Sequence, residues 1–424
     1  MITATKTRGG TGALVTIAAR NITRNKRRTV MCVVAAGIAV FFTIVMQAML
    51  GGMMKGIEDV VQVFDTGHVS IASAEFEADK EYMPVQYPVA GGKSGAELEA
   101  EVRAMPGVKA VFPRITTFAT LQDSTVKHAQ LWGIDAAAET ALNHFNLTER
   151  SDGITEGRYP AENSNECAIG AEMAKKAGLR IGDTIPLKTV SAQFSDKMWE
   201  PVITGIFKFD YLKFDEDAII VDYERLSRLL VMGGSVQQLF IFTEKSEQSK
   251  AVAAKLQTML GRGDVVRDWR DNYFVAMMQQ SQIIYYLVEL VFLIVASFLI
   301  INTVVMIIHE RIKEIGMMGS LGMTRREIVQ VFFFEALFLS VLGALCGVAL
   351  GAAVTLAGSF FPLDFAAITG GGMKEFPVSN VLYLQFSPAI LGGGFLFGVG
   401  ITAVCTLVPS LKSAFVEPVE ALRR

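Results

Sequence analysis

Four long apolar runs divide the chain unevenly. One lies near the N-terminus, at residues 29–50, and three lie in the C-terminal third, at residues 283–308, 328–356 and 388–408. Each run is near or above the roughly 20 residues that an α-helix needs to cross the hydrocarbon core of a bilayer. The pattern therefore predicts four transmembrane helices in a 1 + 3 arrangement.

The stretch between the first two runs, residues 51–282, has a different pattern. Short alternating runs are separated by Gly-Asp turns, which is typical of a domain that mixes strands and helices. We expect two subdomains here, one of them built from sequence on both sides of the other. The predicted fold class is therefore an α-helical membrane bundle of four transmembrane helices with a large extracytoplasmic α+β domain inserted between helices 1 and 2.

The remaining segments are short, and each has a predicted role. They are an amphipathic cytoplasmic helix (1–28), a cytoplasmic coupling loop (309–327), a short external loop (357–387) and a cytoplasmic tail (409–424). A signal peptide is the alternative for the N-terminus. Against it, the uncharged run from Thr29 to Met54 exceeds the apolar region of a signal peptide, and no clean A-x-A site follows.

Lys and Arg flank the apolar runs unevenly. They crowd residues 20–28, the loop 309–327 and the last thirteen residues, whereas the loop 357–387 holds only Lys374. By the positive-inside rule, both termini and the 309–327 loop are cytoplasmic and the large domain is outside. This predicts a multi-pass protein of the cytoplasmic (inner) membrane with a periplasmic domain.

Composition and charge exclude several classes of function. The chain is 51% apolar with a formal net charge of −3, and no basic run outside the membrane flanks points to nucleic acid. Its four histidines lack metal-ligand spacing. Gly91-Gly92-Lys93-Ser94 matches the end of the P-loop pattern G-x-x-x-x-G-K-S. The position of the first glycine in that pattern holds Tyr87, so the pattern is incomplete. We therefore expect no catalytic, cofactor-binding or metal-binding residues, and no enzyme activity in this chain.

The most concentrated signal lies in the loop after the second run. It reads His309-Glu310-Arg311-Ile312-Lys313-Glu314-Ile315-Gly316 and continues through Gly322 and Thr324 to Ile328. The two glycines bracket a short helical piece, and Thr324 with Glu327 forms a capping-box pattern for the next helix. This predicts a compact loop that a soluble partner could grip.

This loop resembles the E-R-x-x-E-I-G-x-x-x-x-L-G signature of the FtsX/MacB-type permeases of ABC transporters. The C-terminus is similar to the ending of that family, with Pro409 and then Glu417-Pro418-Val419-Glu420-Ala421-Leu422-Arg423. Arg20-Asn21 and Arg24-Asn25 resemble its N-terminal helix, and residues 166–183 with 204–207 resemble its periplasmic core more loosely. The matches occupy both ends of the chain and agree with the 1 + 3 topology.

The resemblance implies a permease subunit without an ATPase domain of its own. Two copies of a separate ABC ATPase subunit, carrying ATP and Mg, would push on the loop, and a second permease copy or a homologous permease would complete the complex. The lipid bilayer surrounds the membrane helices. A periplasmic carrier or adaptor protein is a further candidate partner. The residues expected to carry ATPase coupling are Glu310, Arg311, Glu314, Gly316, Gly322 and Arg325.

The resemblance leaves three functions open. Chain length and Gly67-His68-Val69-Ser70-Ile71 look like the lipoprotein-releasing (LolC/LolE-type) branch, which favours extraction or export of a lipid-linked substrate. Phe332-x-x-Glu335-Ala336 looks closer to MacB-type members, which favours a tripartite drug or peptide efflux permease. The third is a non-transporting signalling module that controls a cell-wall hydrolase.

Glycines recur every four residues in the last two runs. Gly343, Gly347 and Gly351 lie in the third run, and Gly394 and Gly398 lie in the fourth. Small residues on one helical face let another helix come close, which predicts a helix-packing seam that can slide. The alternative is the ordinary enrichment of glycine in membrane helices.

We interpret two sets of acidic residues as structural rather than functional. Glu289 and Glu335 lie in or near apolar runs, where we expect hydrogen-bonded, structural roles rather than a place on a transport path. Asp215, Glu216 and Asp217 form a cluster that we interpret as a solvated turn rather than a cation site.

Overall fold

The structure is a computed structural model, and two compact units divide the chain. It describes residues 12, 15–16, 18–20, 26–89, 94–122, 126–141, 153–209, 211–261, 263–310, 316–318, 320–364 and 381–413. The membrane unit comprises Met1–Gly52, Ser281–Leu363 and Tyr383–Arg424. The outer domain comprises Met53–Gln280 and Asp364–Leu382.

The helices of the described residues are numbered in chain order. They are α1 (Lys26–Val60), α2 (Ala74–Ala78), α3 (Gly95–Arg103), α4 (Ala136–Ala141), α5 (Ala171–Ala177), α6 (Leu212–Asp217), α7 (Tyr223–Leu229), α8 (Ser249–Leu260), α9 (Tyr273–Glu310), α10 (Arg325–Phe360) and α11 (Pro388–Ser413). A π-helical segment, Val61–Thr66, continues α1. Short 3₁₀ turns lie at Lys80–Tyr82, Ser246–Gln248 and Trp269–Asp271.

The strands are numbered in the same way. They are β1 (Val69–Ser73), β2 (Val108–Leu121), β3 (His128–Ile134), β4 (Gly153–Gly157), β5 (Glu166–Gly170), β6 (Leu187–Val190), β7 (Asp196–Trp199), β8 (Val202–Lys208), β9 (Ala218–Asp222), β10 (Gln238–Thr243), β11 (Asp264–Asp268), β12 (Leu363–Asp364) and β13 (Val381–Leu382). One sheet has the order β11-β1-β10-β2-β3-β9-β5-β8-β4, and the β6–β7 hairpin joins it through β2. β12 pairs with β13.

Three helices among the described residues are long and apolar enough to cross a membrane. They cover Thr29–Thr66, Arg325–Phe360 and Pro388–Leu407. These include the predicted first, third and fourth runs. The predicted second run, 283–308, lies within the 38-residue helix α9, and its crossing of the membrane stays a prediction.

Helix α1 runs further than its apolar run suggested. We predicted that the first membrane helix ends at residue 50, but α1 continues to Val60 and then into the π-helical segment. Residues 53–60 are Met-Met-Lys-Gly-Ile-Glu-Asp-Val, and the Met, Lys and Glu residues among them favour helix, so the loss of apolar character does not break the helix. In the described N-terminal stretch, residues 12, 15–16 and 18–20 are helical, and the rest of the predicted amphipathic helix 1–28 up to Asn25 lies outside the described residues.

The outer domain is built around the 14-residue strand β2. The first half of β2 contributes Val111 to a core with β1, β10, α3 and α8, all from segments at the two ends of the domain. The second half of β2 contributes Ile115 to a core formed mainly by residues from the middle of the domain sequence. One sheet therefore supports two groups of core residues, and the border between the predicted subdomains stays a prediction.

Residues 166–208 form a β-α-β unit within the sheet. β5 leads into α5, which ends at Gly178 with φ +69°, and β8 then returns parallel to β5. A second turn needs Gly182, at φ +94°, while the carboxylate of Asp183 accepts a hydrogen bond from the backbone N–H of Arg180 at 2.8 Å. Glycine is favoured at both positions because a Cβ is disfavoured at positive φ.

The acidic cluster at 215–217 is not a solvated turn, so that interpretation was wrong. It forms the end of α6, and Asp215 is buried, with its carboxylate accepting a hydrogen bond from the backbone N–H of Phe209 at 2.9 Å. Glu216 forms an ion pair with Lys176 at 3.0 Å. The neighbouring Phe214 packs into an aromatic core, which draws this short helix against the sheet.

A buried ion pair lies at the centre of the outer domain. Arg114, in the middle of β2, donates to the carboxylate of Glu139 on α4 at 2.8 Å, and both side chains are inaccessible to solvent. The Arg114 guanidinium also lies 4.6 Å from the ring centre of Phe240. Burial raises the pKa of Glu139 and lowers the pKa of Arg114, so each residue needs the other to remain charged.

We therefore predict that breaking this pair destabilises the outer domain. Glu139→Ala leaves the Arg114 charge buried without its carboxylate and should cost about 3–5 kcal/mol in the free energy of unfolding. The double variant Arg114→Leu with Glu139→Leu should lose much less, because no charge stays buried. Denaturant unfolding of the full chain, followed by tryptophan fluorescence, measures both; equal or larger loss in the double variant would contradict the prediction.

Candidate functional site

The glycines of α10 face α1 at very short range. A Cβ built at Gly347 would lie 2.5 Å from the carbonyl oxygen of Gly37, and one at Gly343 would lie 2.6 Å from the Cβ of Ala36. Real Cβ atoms essentially never approach other atoms this closely. The backbones of α1 and α10 are therefore in direct contact, which only residues without a side chain permit.

Two branched side chains of α1 fill the space opposite the remaining glycines. A Cβ at Gly351 would lie 2.9 Å from a methyl carbon of Ile44, and one at Gly394 would lie 2.6 Å from the same side chain. A Cβ at Gly398 would lie 2.2 Å from a methyl carbon of Val40. We call these contacts of α1 with α10 and α11 the glycine seam.

The buried face of α1 explains why it lies in this groove. Ala36, Val40, Ile44 and Ala48 recur every four residues and are all buried, and Ala344 of α10 joins the same cluster. The opposite face of α1 is exposed and apolar, with Val30, Met31, Val34, Ile38 and Phe42. One helical face thus contacts protein, and the other suits lipid.

The end of the seam is closed by an extended segment before α11. The backbone N–H of Gln385 donates to the carbonyl oxygen of Ala48 at 3.0 Å, and a Cβ at Gly52 would lie 1.9 Å from the carbonyl oxygen of Tyr383. Gly51 is equally crowded, by the side chain of Gln385. These contacts pack the segment before α11 against residues 48–52 of α1.

The structure describes both carboxylates that lie in or near apolar runs, and their structural roles stay a prediction. The side-chain amide of Gln47 on α1 donates to Glu289 on α9 at 3.1 Å. Glu335 on α10 is buried. The Gln47–Glu289 hydrogen bond ties α9 to the face of α1 beside the seam.

The turn before α10 is a tightly determined connection. The short helical piece ends at Gly322, whose φ is +91°, and the N–H of Met323 donates to the carbonyl of Met318 at 3.1 Å, as in a Schellman motif. Thr324 then caps α10, and its reciprocal hydrogen bonds with Glu327 confirm the predicted capping box. Leu321 stands at the apex of this turn and is 80% exposed.

An apolar cluster holds the turn against the helix it leads into. Ile328 and Phe332 of α10 are buried, and Met318 and Met323 pack against them. The turn is therefore held as part of the bundle rather than loosely attached to it.

The structure describes only part of the predicted coupling set. Gly316 is buried in the short helical piece, and Gly322 and Arg325 are exposed. Glu310 is the last residue of α9, but its side chain, together with Arg311 and Glu314, lies outside the described residues. The coupling role of all six residues stays a prediction.

The β6–β7 hairpin of the outer domain exposes apolar side chains. Phe194 is 75% exposed at its tip and has a positive φ of +57°, and Val190 and Met198 are exposed on the flanking strands. A backbone hydrogen bond from Ser191 N–H to the Ser195 carbonyl, at 2.9 Å, closes the tip. The hairpin therefore presents three apolar side chains to solvent.

Sequence reasoning missed the partner side of the seam and this hairpin. The small residues Ala35, Ala36 and Gly37 followed by Val40 and Ile44 at four-residue spacing could have identified α1 as the helix that enters the groove. Ser-Ala-Gln-Phe-Ser at 191–195 could have indicated a hairpin loop, but nothing local shows that its Phe is exposed.

Two known families match most of the chain. Residues 29–259 match the family described as MacB-like periplasmic core domain, and residues 286–418 match the family described as FtsX-like permease C-terminal. The two matches follow one another along the chain and together cover both units.

Individual proteins that resemble this chain have low sequence identity to it. The lipoprotein-releasing system transmembrane protein LolC of Xylella fastidiosa is 23% identical over 339 residues, which cover 75% of this chain and 78% of that protein. LolC of Neisseria meningitidis serogroup B is 22% identical over 340 residues, with the same coverage of 75% and 78%. The macrolide export ATP-binding/permease protein MacB of Neisseria gonorrhoeae is 30% identical over 135 residues, which cover 32% of this chain and 18% of that protein.

The seam predicts opposite effects for the same substitution at two glycines. Gly347→Ala places a Cβ against the backbone of α1 and should cost about 1–3 kcal/mol in bundle stability. Gly400→Ala should be neutral or slightly stabilising, because no atom lies within 4 Å of its Cβ position and alanine favours helix. Unfolding in mixed micelles by added SDS, followed by far-ultraviolet circular dichroism, compares them, and equal stability would refute the close contact.

Proposed function

The chain belongs to the FtsX/MacB-type family of ABC transporter permeases, and from this premise we propose that it couples a separate ATPase subunit to motion of its periplasmic domain. The substrate we propose is lipid-linked, such as a lipoprotein, which the complex extracts from the membrane or exports. In this proposal both termini and the turn before α10 are cytoplasmic. ATP and Mg are bound by the ATPase and not by this chain.

The observation that carries the proposal is the continuity of two helices. α1 begins in the membrane unit and ends in the outer domain, and α9 runs from the outer domain into the membrane unit, each without a break in its helix. A helix transmits displacement along its axis because its backbone hydrogen bonds keep its length fixed. Movement of α1 in the glycine seam would therefore be passed on to the periplasmic side.

The site at which the ATPase would start this movement is the turn before α10, which contains Gly322 and Thr324. We call this site the input. Its exposed apex and the flanking charged residues suit contact with a soluble ATPase, and its apolar cluster joins it to α10. Because α10 supplies three glycines of the seam, a push on the turn would act on the contact with α1. Two ATPase copies and a second permease, identical or homologous, would complete the complex around a twofold axis.

The substrate assignment rests on the relatives and on the outer domain. Proteins named for lipoprotein release match three quarters of the chain. The exposed hairpin tip at Phe194 offers an apolar surface for a periplasmic carrier or adaptor protein. The second candidate is tripartite efflux of a drug or peptide, which the similarity to a macrolide export protein favours.

A substitution at Gly322 tests the input. The backbone there has φ +91°, so Gly322→Val strains the turn by roughly 1–2 kcal/mol or more without crowding any neighbour. We expect the reconstituted complex to keep basal ATP hydrolysis and to lose its stimulation by substrate.

Gly261→Val is the matched control, because Gly261 has a similar φ of +82° with no atom within 4 Å of its Cβ position, and it lies in the outer domain rather than in this turn. It should leave stimulation unchanged. ATP hydrolysis with and without substrate, measured in lipid nanodiscs, compares the two variants. Normal stimulation in Gly322→Val would reject this turn as the input, although the family membership would stand.

Native mass spectrometry tests the substrate class. The complex should be purified from its host membranes with everything that co-elutes. We expect two permeases, two ATPases and a bound triacylated protein. Recovery with a periplasmic adaptor and without an acylated protein would reject lipoprotein release and favour efflux.

A further inference from the structure

The outer domain contains a cavity of about 230 Å³ with aromatic walls. Phe64, Trp132, Phe214 and Phe240 line it, and each of these side chains is more than nine-tenths buried. Phe64 contacts Phe214 and Trp132 with ring centres 4.3 Å and 6.3 Å apart, so the walls form one packed aromatic group. Such a surface suits an apolar chain, since aromatic rings offer a large contact area with little loss of side-chain freedom.

One wall of the cavity is the π-helical segment that continues α1. Val61, Phe64 and Asp65 of this segment line the cavity. π-helical turns are rare, and they occur frequently at functional sites. The wall is therefore both irregular and joined, through unbroken helix, to the part of α1 that enters the glycine seam.

Charged residues line part of the cavity. Its described charged lining residues are Lys80, Lys213 and Asp65. Lys80 forms an ion pair with Asp65 at 2.9 Å, and Asp65 also accepts a hydrogen bond from the side chain of Asn272. Lys213 is exposed at the edge of the cavity. Lys213 also interacts with the carboxylate of Asp217, so an anion at this edge would share Lys213 with Asp217.

We propose that this cavity binds the end of an acyl chain whose anionic head group pairs with Lys213. The source of this chain is an anionic lipid or a free fatty acid, because the lipid anchor of a lipoprotein carries no anionic head group. The apolar chain contacts the aromatic walls, and the head group remains at the exposed edge. Because Phe64 belongs to the π-helical segment, occupancy of the cavity acts on the segment that ends α1.

Tryptophan fluorescence tests the cavity directly, because the chain has only three tryptophans. The variant with Trp199→Phe and Trp269→Phe keeps Trp132 alone, in the cavity wall. A brominated decanoate, added to the full chain in phosphatidylcholine nanodiscs, should quench Trp132 in a saturable way. Unbrominated decanoate should reverse the quenching.

The matched control keeps Trp199 alone, through Trp132→Phe and Trp269→Phe. Trp199 is also buried in the outer domain but does not line the cavity. It should show no saturable quenching. Equal quenching of both tryptophans, or quenching that rises linearly without saturation, would indicate partition into the bilayer and would overturn the proposal.

Lys213→Ala tests the head-group contact without disturbing the core, because Lys213 is exposed. We expect it to weaken the apparent affinity for brominated decanoate by about five-fold, as for one exposed ion pair. Unchanged affinity would overturn the anionic head group. A brominated lysophosphatidylglycerol distinguishes the two sources of an acyl chain: quenching by both probes supports a lipid, and quenching by decanoate alone supports a free fatty acid.

The failure of this proposal is distinguishable from that of the proposed function. A triacylated protein recovered with the complex, together with no quenching of Trp132, would reject the cavity and leave lipoprotein release standing. Saturable quenching without any acylated protein in the complex would support the cavity and reject that function.

Discussion

The close contact of α1 with α10 and α11 is the constraint on which the membrane unit depends. Within a bilayer, helices gain little from hiding apolar surface, because lipid tails are as apolar as leucine. Association then depends on dispersion contacts, which fall off steeply with distance. The glycine seam supplies them by bringing the backbones of Gly37 and Gly347 together, so a single methyl group is enough to disturb it.

The outer domain is held together by a different kind of interaction. Arg114 and Glu139 form a directional, buried ion pair at the strand shared by both groups of core residues. Dispersion contacts have little directional preference, whereas a buried ion pair is lost once its geometry is lost. The bundle is thus suited to adjust, and the domain is suited to move as a body.

Much of this architecture could be predicted from the sequence, and the gaps have physical causes. The repeats at Gly343 and Gly394 indicate faces for close packing, but a small-residue face does not specify which helix fills it. That information lies in Val40 and Ile44, far away in the chain. Likewise, Asp215 reads as solvated because its local pattern is acidic, and its burial follows from Phe214 packing against a sheet assembled from distant strands.

The π-helical segment that continues α1 restricts the number of residues in this region of the chain. A π-turn holds about one residue more than an α-turn, and each residue of an α-helix rotates the following side chains by about 100°. Deletion of a single residue between Val61 and Thr66 would restore α-helical register and turn Phe64 and Asp65 away from their present neighbours. Evolutionary change here is therefore restricted in residue number as well as in residue type, and insertions or deletions should be tolerated in surface loops long before they are tolerated in these six positions.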